Sequence, residues 1–406
     1  VYIGVSTSNR TPGYRSLTLE GGNISGISGG VDRWGSTSTT TKEYNMNRPS
    51  VYIRMKGSSD YPIVRGPIYA GAANAPTYGS RTVIATGGII KGWLAGGCNG
   101  NDNQEGKNFG PSYIYVGGNA SVNSNNKSTT FGAGGAIGGM VFAAGSGKSD
   151  NASSGRIEYG THLTIADNAY IERNAFGGGN YGFSVDSTKI FITGGRVHGS
   201  VFGGANLRGG NTVNIVMNGG LIEGGLYGGS NQNGTISSNV TMQINGGQVG
   251  TSTTPANIHG GGYGASTIVS GNVDVTLGTK TGEDDVTYTT SGDAVIYGDV
   301  YGGSALGKVN GTTVDGSLHT NVTLNAGTIH GSLYGGGLGQ KRGINGATSN
   351  IEANVYGNVQ VTVYGGSVKK TNVDGSGGVY GCNNINGAPQ RNVTVEIYGT
   401  DPAPAE

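Results

Sequence analysis

Asn239–Gly247 reads NVTMQINGG and Asn358–Gly366 reads NVQVTVYGG. In both stretches an apolar residue returns at every second position and the run ends on a glycine pair. Period 2 is the signature of a strand with one buried face. Val240, Met242 and Ile244 point one way, and Thr241 and Gln243 the other. Val213/Ile215/Met217, Val273/Val275/Leu277, Val359/Val361/Val363 and Val393/Val395/Ile397 form the same inward column. The outward positions are polar, among them Asn214, Asp274, Thr276, Thr323, Asn325, Gln360, Thr394 and Glu396. Weaker copies lie upstream at Ser16–Gly22, Val51–Gly57, Thr82–Gly88, Ser112–Gly118, Thr161–Asn168 and Thr188–Gly195.

A second phrase follows the first. It reads RVHGSVFGG at Arg196–Gly204, LIEGGLYGG at Leu221–Gly229, VIYGDVYGG at Val295–Gly303 and TIHGSLYGG at Thr328–Gly336. The pair of phrases recurs about twelve times along the chain, which is the mark of a repeat architecture. Equivalent residues recur in one chain direction, so successive copies stack in parallel about 4.8 Å apart and like residues form ladders. The expectation is an all-β fold, a single-stranded parallel β-helix (β-solenoid) of about twelve coils. Right-handedness is expected from the general preference of parallel crossovers. A β-sandwich would instead show strands of varied sequence joined by hairpin signals, and few such signals occur here. The solenoid is expected to run over residues 1–399. Turn insertions are expected at about 31–48, 99–111, 119–135, 146–157, 279–292 and 340–357, with a Pro/Ala linker-like tail at 400–406.

Composition agrees. Glycine supplies 83 of 406 residues, with only 34% hydrophobic and 12% charged. Those proportions suit a repeat in which each unit needs a thin strip of core, and the ordered alternation argues against disorder. The formal net charge is +1, and without a basic track no nucleic-acid partner is expected. No apolar run is long enough for a transmembrane helix, so no membrane span is expected. The opening VYIGV and the closing TDPAPAE read as a mature chain or a segment of a longer one. Cys98 and Cys382 both replace a turn glycine. At a separation on the order of 40 Å in a regular stack they cannot form a bond with one another.

The phrases VFGGANLRGG, LYGGSNQNG, VYGGSALG, LYGGGLG and VYGCNN resemble the glycine-rich repeats of bacterial β-solenoid surface proteins of the adhesin-like kind. The resemblance covers most of the chain and is clearest from about Ala169 onward. It implies export to the cell surface and a role in attachment, matrix or filament structure. It carries no fixed catalytic residues.

Parallel β-helices also host polysaccharide lyases and glycosidases, which gather carboxylates on one face. Here the acids are scattered. Glu283-Asp284-Asp285 is the one cluster, inside the apparent insertion at Thr279–Gly292. It reads as a solvated loop tip, with a Ca²⁺ site as the weaker alternative. No catalytic residue, metal or cofactor is expected. His198, His259 and His330 are assigned to one repeat column, too widely spaced to share a metal. The outward ranks are too irregular for ice binding. Alternation across Ile329–Tyr334 places Tyr334 outward, together with Tyr69, Phe142, Phe176, Phe202, Tyr227, Tyr301 and Tyr380 at equivalent positions. Two readings of this aromatic ladder stand side by side: an exposed row that contacts a glycan or a surface protein, and a stack that stabilises the fold. A register shift of one residue would turn it into the core. Open solenoid ends make self-association a further expectation.

Overall fold

The computed structural model describes residues 14–30, 50–72, 76–100, 106–124, 137–149, 153–282, 284–369 and 377–399. Among them the regular structure is entirely β, and the strands pair almost throughout in parallel. The chain divides into two compact units, Val1–Gly199 and Ser200–Glu406, each a stack of parallel ladders of the β-solenoid kind.

In the first unit the long strands are β1 (Tyr14–Leu19), β2 (Ser50–Met55), β3 (Arg81–Ala85), β4 (Ser112–Val116), β5 (Thr161–Ile165) and β6 (Ser187–Val197). β1 pairs with β2. From there Ile53, Val83, Ile114, Leu163 and Ile190 lie beside one another in that order. These five side chains are at most 2% exposed, so the repeating apolar position is a continuous core column. Short strands such as Ile89–Ile90, Ser121–Val122 and Tyr170–Ile171 form a second ladder. Ile68–Tyr69, Leu94–Ala95, Val141–Phe142 and Ala175–Phe176 form a third.

The second unit repeats the plan with β7 (Thr212–Ile222), β8 (Val240–Val249), β9 (Val273–Leu277), β10 (His319–Leu324), β11 (Asn358–Val363) and β12 (Val393–Ile397). Ile215, Met242, Val275, Val322, Val361 and Val395 line up across them. An additional ladder, Asn233–Ile236 with Ser266–Val269 and Lys308–Val309, buries Ile236, Val269 and Val309.

Three sequence expectations need correction. The second phrase is not one strand: Thr328–Ile329 and Leu333–Tyr334 belong to different ladders, with a bend between them. Val393, Val395 and Ile397 in β12, expected in the inward column, are 46%, 42% and 58% exposed, and among the described residues that strand pairs only with β11. Ser121–Val122 lies inside the expected 119–135 insertion yet keeps its place in a ladder, so any insertion there begins after it.

The two kinds of glycine pair answer different needs. Gly220 and Gly247, which end the long-strand phrase, have φ of +84° and +87°, a left-handed conformation that side chains resist. The pair after the third ladder is required by contact instead. A methyl on Gly229 would lie 2.6 Å from the Gly262 nitrogen, and one on Gly228 would collide with the Gly260 carbonyl and Val240. The insertion at 279–292 holds an antiparallel hairpin, Thr279–Thr281 with Thr289–Ser291.

Candidate functional site

The expected aromatic ladder exists, but not as an exposed row. Parallel pairing sets equivalent residues one strand spacing apart, a separation that suits offset ring stacking. In the second unit Phe202, Tyr227, His259, Tyr301, Tyr334 and Tyr380 stack consecutively. Their centroids are 4.6–5.2 Å apart and their planes lie within 14° of each other. In the first unit Phe142 stacks on Phe176 at 5.2 Å. Leu94–Ala95 occupies the rung next to Tyr69, and Trp93 meets the Tyr69 ring edge-on.

Gly228 faces Val240, so Tyr227 points away from that core column, as alternation requires. Even so, Phe142, Phe176 and Tyr301 are 0% exposed, Phe202 is 2%, and Tyr69, Tyr227 and Tyr334 are each 8%; Tyr380 is partly exposed. Ring faces cover one another, and neighbouring loops close over the edges. Tyr301 Oη donates to Asp299 Oδ2 at 2.7 Å and accepts from Asn384 Nδ2 at 2.8 Å. Burial and the Asp299 carboxylate hold that phenol protonated far above its ordinary range. The rings therefore offer a ligand little surface.

His259 belongs to this stack and not to a column with His198 and His330. Its strand, Ile258–His259, pairs with Leu226–Tyr227 and Val300–Tyr301, so the imidazole takes an aromatic rung. It is 1% exposed, and among the described residues its Nδ1 has no hydrogen-bond partner. Burial drives its pKa down to about 3. His330 instead stacks on Tyr297 at 4.7 Å. The sequence signal was present, since Ile258-His259-Gly260-Gly261 matches Leu-Tyr-Gly-Gly, but it also matches the first half of the second phrase.

Glu283 lies outside the described residues. Asp284 Oδ1 accepts from the Val286 and Thr287 nitrogens. Asp285 Oδ1 accepts from Tyr364 Oη at 2.8 Å and pairs with Lys280 at 3.3 Å. Lys280 Nζ in turn lies 5.3 Å and 4.5 Å from the Tyr288 and Tyr364 ring centroids. Asp284 closes the hairpin's own turn and Asp285 fastens the hairpin to the Tyr364 segment, and their hydrogen bonds lower both pKa values. Among the described residues no three His, Cys, Asp or Glu side chains are placed to share a metal. Cys98 and Cys382 are not joined in a disulfide. No helix among the described residues is long and apolar enough to cross a membrane.

An exposed aromatic surface does occur, on the outer face of the long-strand sheet in the first unit. Register places Tyr52, Thr82, Tyr113, His162 and Lys189 in one outward column. Arg54, Ile84, Tyr115, Thr164 and Phe191 form the next. Tyr113 stacks on His162 at 4.7 Å with 21° between planes, and Tyr113 and Phe191 are 40% and 39% exposed. A shallow groove of about 560 Å³ runs across this face, lined by Tyr52, Thr82, Tyr113, Tyr115, His162 and Thr164 among others.

The groove's polar groups are fixed at one end. Tyr115 Oη donates to Asp167 Oδ2 at 2.9 Å, and the Gly118 nitrogen donates to the same oxygen at 2.8 Å. The Asp167 pKa falls and the Tyr115 pKa rises accordingly. Partial burial, helped by Lys189, lowers the His162 pKa. The solvent-facing edges of these rings, beside hydroxyls and an imidazole, can pack against the apolar side of a sugar ring while hydrogen-bonding its rim. The outward positions of β7–β12, such as Asn214, Thr241, Thr276 and Gln360, carry no comparable row.

The alternation rule reaches this face only when it is carried into the weaker upstream copies. Applied to VYIRM, TVIA, SYIYV, THLTI and TKIFI, it yields Tyr52, Tyr113, Tyr115, His162 and Phe191, which the clear downstream copies do not announce. Comparison of the chain with protein-family models, with curated proteins and with solved structures finds no match.

Proposed function

We propose that the chain is a non-catalytic extracellular scaffold, an adhesin-like surface or matrix protein, whose outer sheet face in the first unit contacts carbohydrate. In this reading it is exported to a bacterial surface and forms one right-handed β-helix of about twelve coils. The observation that carries the proposal is the Tyr113–His162 stacked pair, Tyr113 exposed and His162 half-buried, on the outer sheet face among Tyr52, Tyr115, Phe191 and threonine hydroxyls. Exposed aromatic clusters of this kind are uncommon without a partner. The buried ladder of Phe202, Tyr227, Tyr301 and Tyr334 takes the stabilising role.

A glycan array with the folded protein and with Tyr113→Ala tests the proposal. The reading expects glycan binding by the parent protein and its loss in the variant, with unchanged circular dichroism. A folded parent protein that retains no glycan overturns it.

A second reading, a filament subunit that stacks end to end, is favoured by one observation. Among the described residues β12 pairs only with β11, and its Val393, Val395 and Ile397 present an apolar row, the arrangement that invites a further parallel strand. Sedimentation of the parent protein against Val395→Lys separates the readings. Concentration-dependent growth that the substitution abolishes supports the filament.

A further inference from the structure

The chemistry around the aromatic face specifies its ligand more narrowly, resting on the carbohydrate reading above. We infer that the face takes an anionic oligosaccharide, a flat β-linked uronate chain whose carboxylates meet Arg54 at one corner and Lys189 at the other.

Register fixes the placement. Arg54 is paired with Ile84, Ile84 with Tyr115, Tyr115 with Thr164, and Thr164 with Phe191. In the neighbouring column Lys189 is paired with His162. The two cations thus bracket the aromatic patch diagonally, four strand spacings or about 19 Å apart along the stack, a span of several sugar rings. Arg54 is exposed and Lys189 partly so. Among the described residues neither has an ion-pair partner.

The acids around the face lie at its margins. Among the described residues no acidic side chain lines the groove. Asp167 stands at its edge, with one oxygen already holding the Gly118 amide and the Tyr115 hydroxyl. Glu20 and Lys56 follow β1 and β2, and Asp186 precedes β6. A neutral glycan would leave Arg54 and Lys189 with no role. A uronate chain satisfies both, the guanidinium offering paired donors to a carboxylate, while its rings lie over Tyr113, His162 and Tyr52.

The test is titration calorimetry of the full chain with a β-1,4-linked hexamannuronate and with the same hexasaccharide after reduction of its carboxylates to alcohols. The expected result is tighter binding of the acidic form by about tenfold at low salt, narrowing as salt rises. Exposed ion pairs contribute modestly, so Arg54→Gln and Lys189→Gln should each weaken the acidic form by about threefold. Neither should change binding of the reduced form, and Tyr113→Ala should weaken both. Equal affinity for the two forms, or a difference that survives the double Gln substitution, overturns the anionic assignment while leaving the carbohydrate face intact. Binding of neither form by the folded protein removes the carbohydrate reading, and the inference with it.

Discussion

Replacing His259 by phenylalanine isolates a single titration inside the aromatic stack. The imidazole lies between Tyr227 and Tyr301, at centroid distances of 5.2 and 4.6 Å, 1% exposed and with an Nδ1 unpartnered among the described residues. Burial lowers its pKa from 6.5 to about 3. Between those values the unfolded chain binds a proton that the folded chain refuses. Stability therefore falls as pH drops through that window, by about 1.4 kcal/mol for each pH unit. The loss is about 2 kcal/mol at pH 5 and about 4 kcal/mol at pH 3. The His259→Phe substitution keeps the ring stack and removes the proton site. Urea unfolding of both proteins at pH 7, 6, 5 and 4, followed by circular dichroism, measures the difference. Asp284, Asp285 and Asp315, whose pKa values are lowered by hydrogen bonds, also lose their contribution in acid, but in both proteins alike. The stability gap in favour of the substituted protein should widen steadily on acidification. A gap that stays constant from pH 7 to pH 4 refutes the reasoning.

Other substitutions probe other parts of the account. Gly228→Ala forces a methyl against the Gly260 carbonyl and Val240 and should destabilise by about 1–3 kcal/mol in urea titration, as overpacking does. Tyr301→Phe leaves Asp299 and Asn384 without their shared phenol and should cost about 1–3 kcal/mol by the same assay, with the stack intact. Lys280→Ala removes the cation held against Tyr288 and Tyr364; limited proteolysis should then cut within residues 279–291 sooner, while global stability changes by under about 1 kcal/mol.

Alternation in NVTMQINGG and its copies was enough to read the parallel ladders, because a buried apolar column imposes period 2 wherever it occurs. The corner inside TIHGSLYGG was not legible, since both of its halves are apolar and only backbone geometry separates Ile329 from Leu333. The ladder through Ile236, Val269 and Val309 was hidden for a related reason: its strands are short and lie in segments that read as turns. The exposure of the Tyr and Phe ladder depended on how loops such as the one carrying Asn384 fold over it, which no local pattern encodes. The Tyr113–His162 face was within reach of the sequence, and was missed because the upstream copies carry Arg81, Ser112, Thr161 and Thr188 where the clear copies carry Val. All four are buried, and Thr161 Oγ1 donates to the Gly177 carbonyl at 2.8 Å.

The central claim is that the outer face of β2–β6 holds carbohydrate without cleaving it. A crystal structure of the protein grown with hexamannuronate addresses it directly. The account predicts an intact oligosaccharide with sugar rings packed against the solvent-facing edges of Tyr113 and His162. Density for the sugar elsewhere on the protein, or a cleaved glycosidic bond on that face, would contradict it.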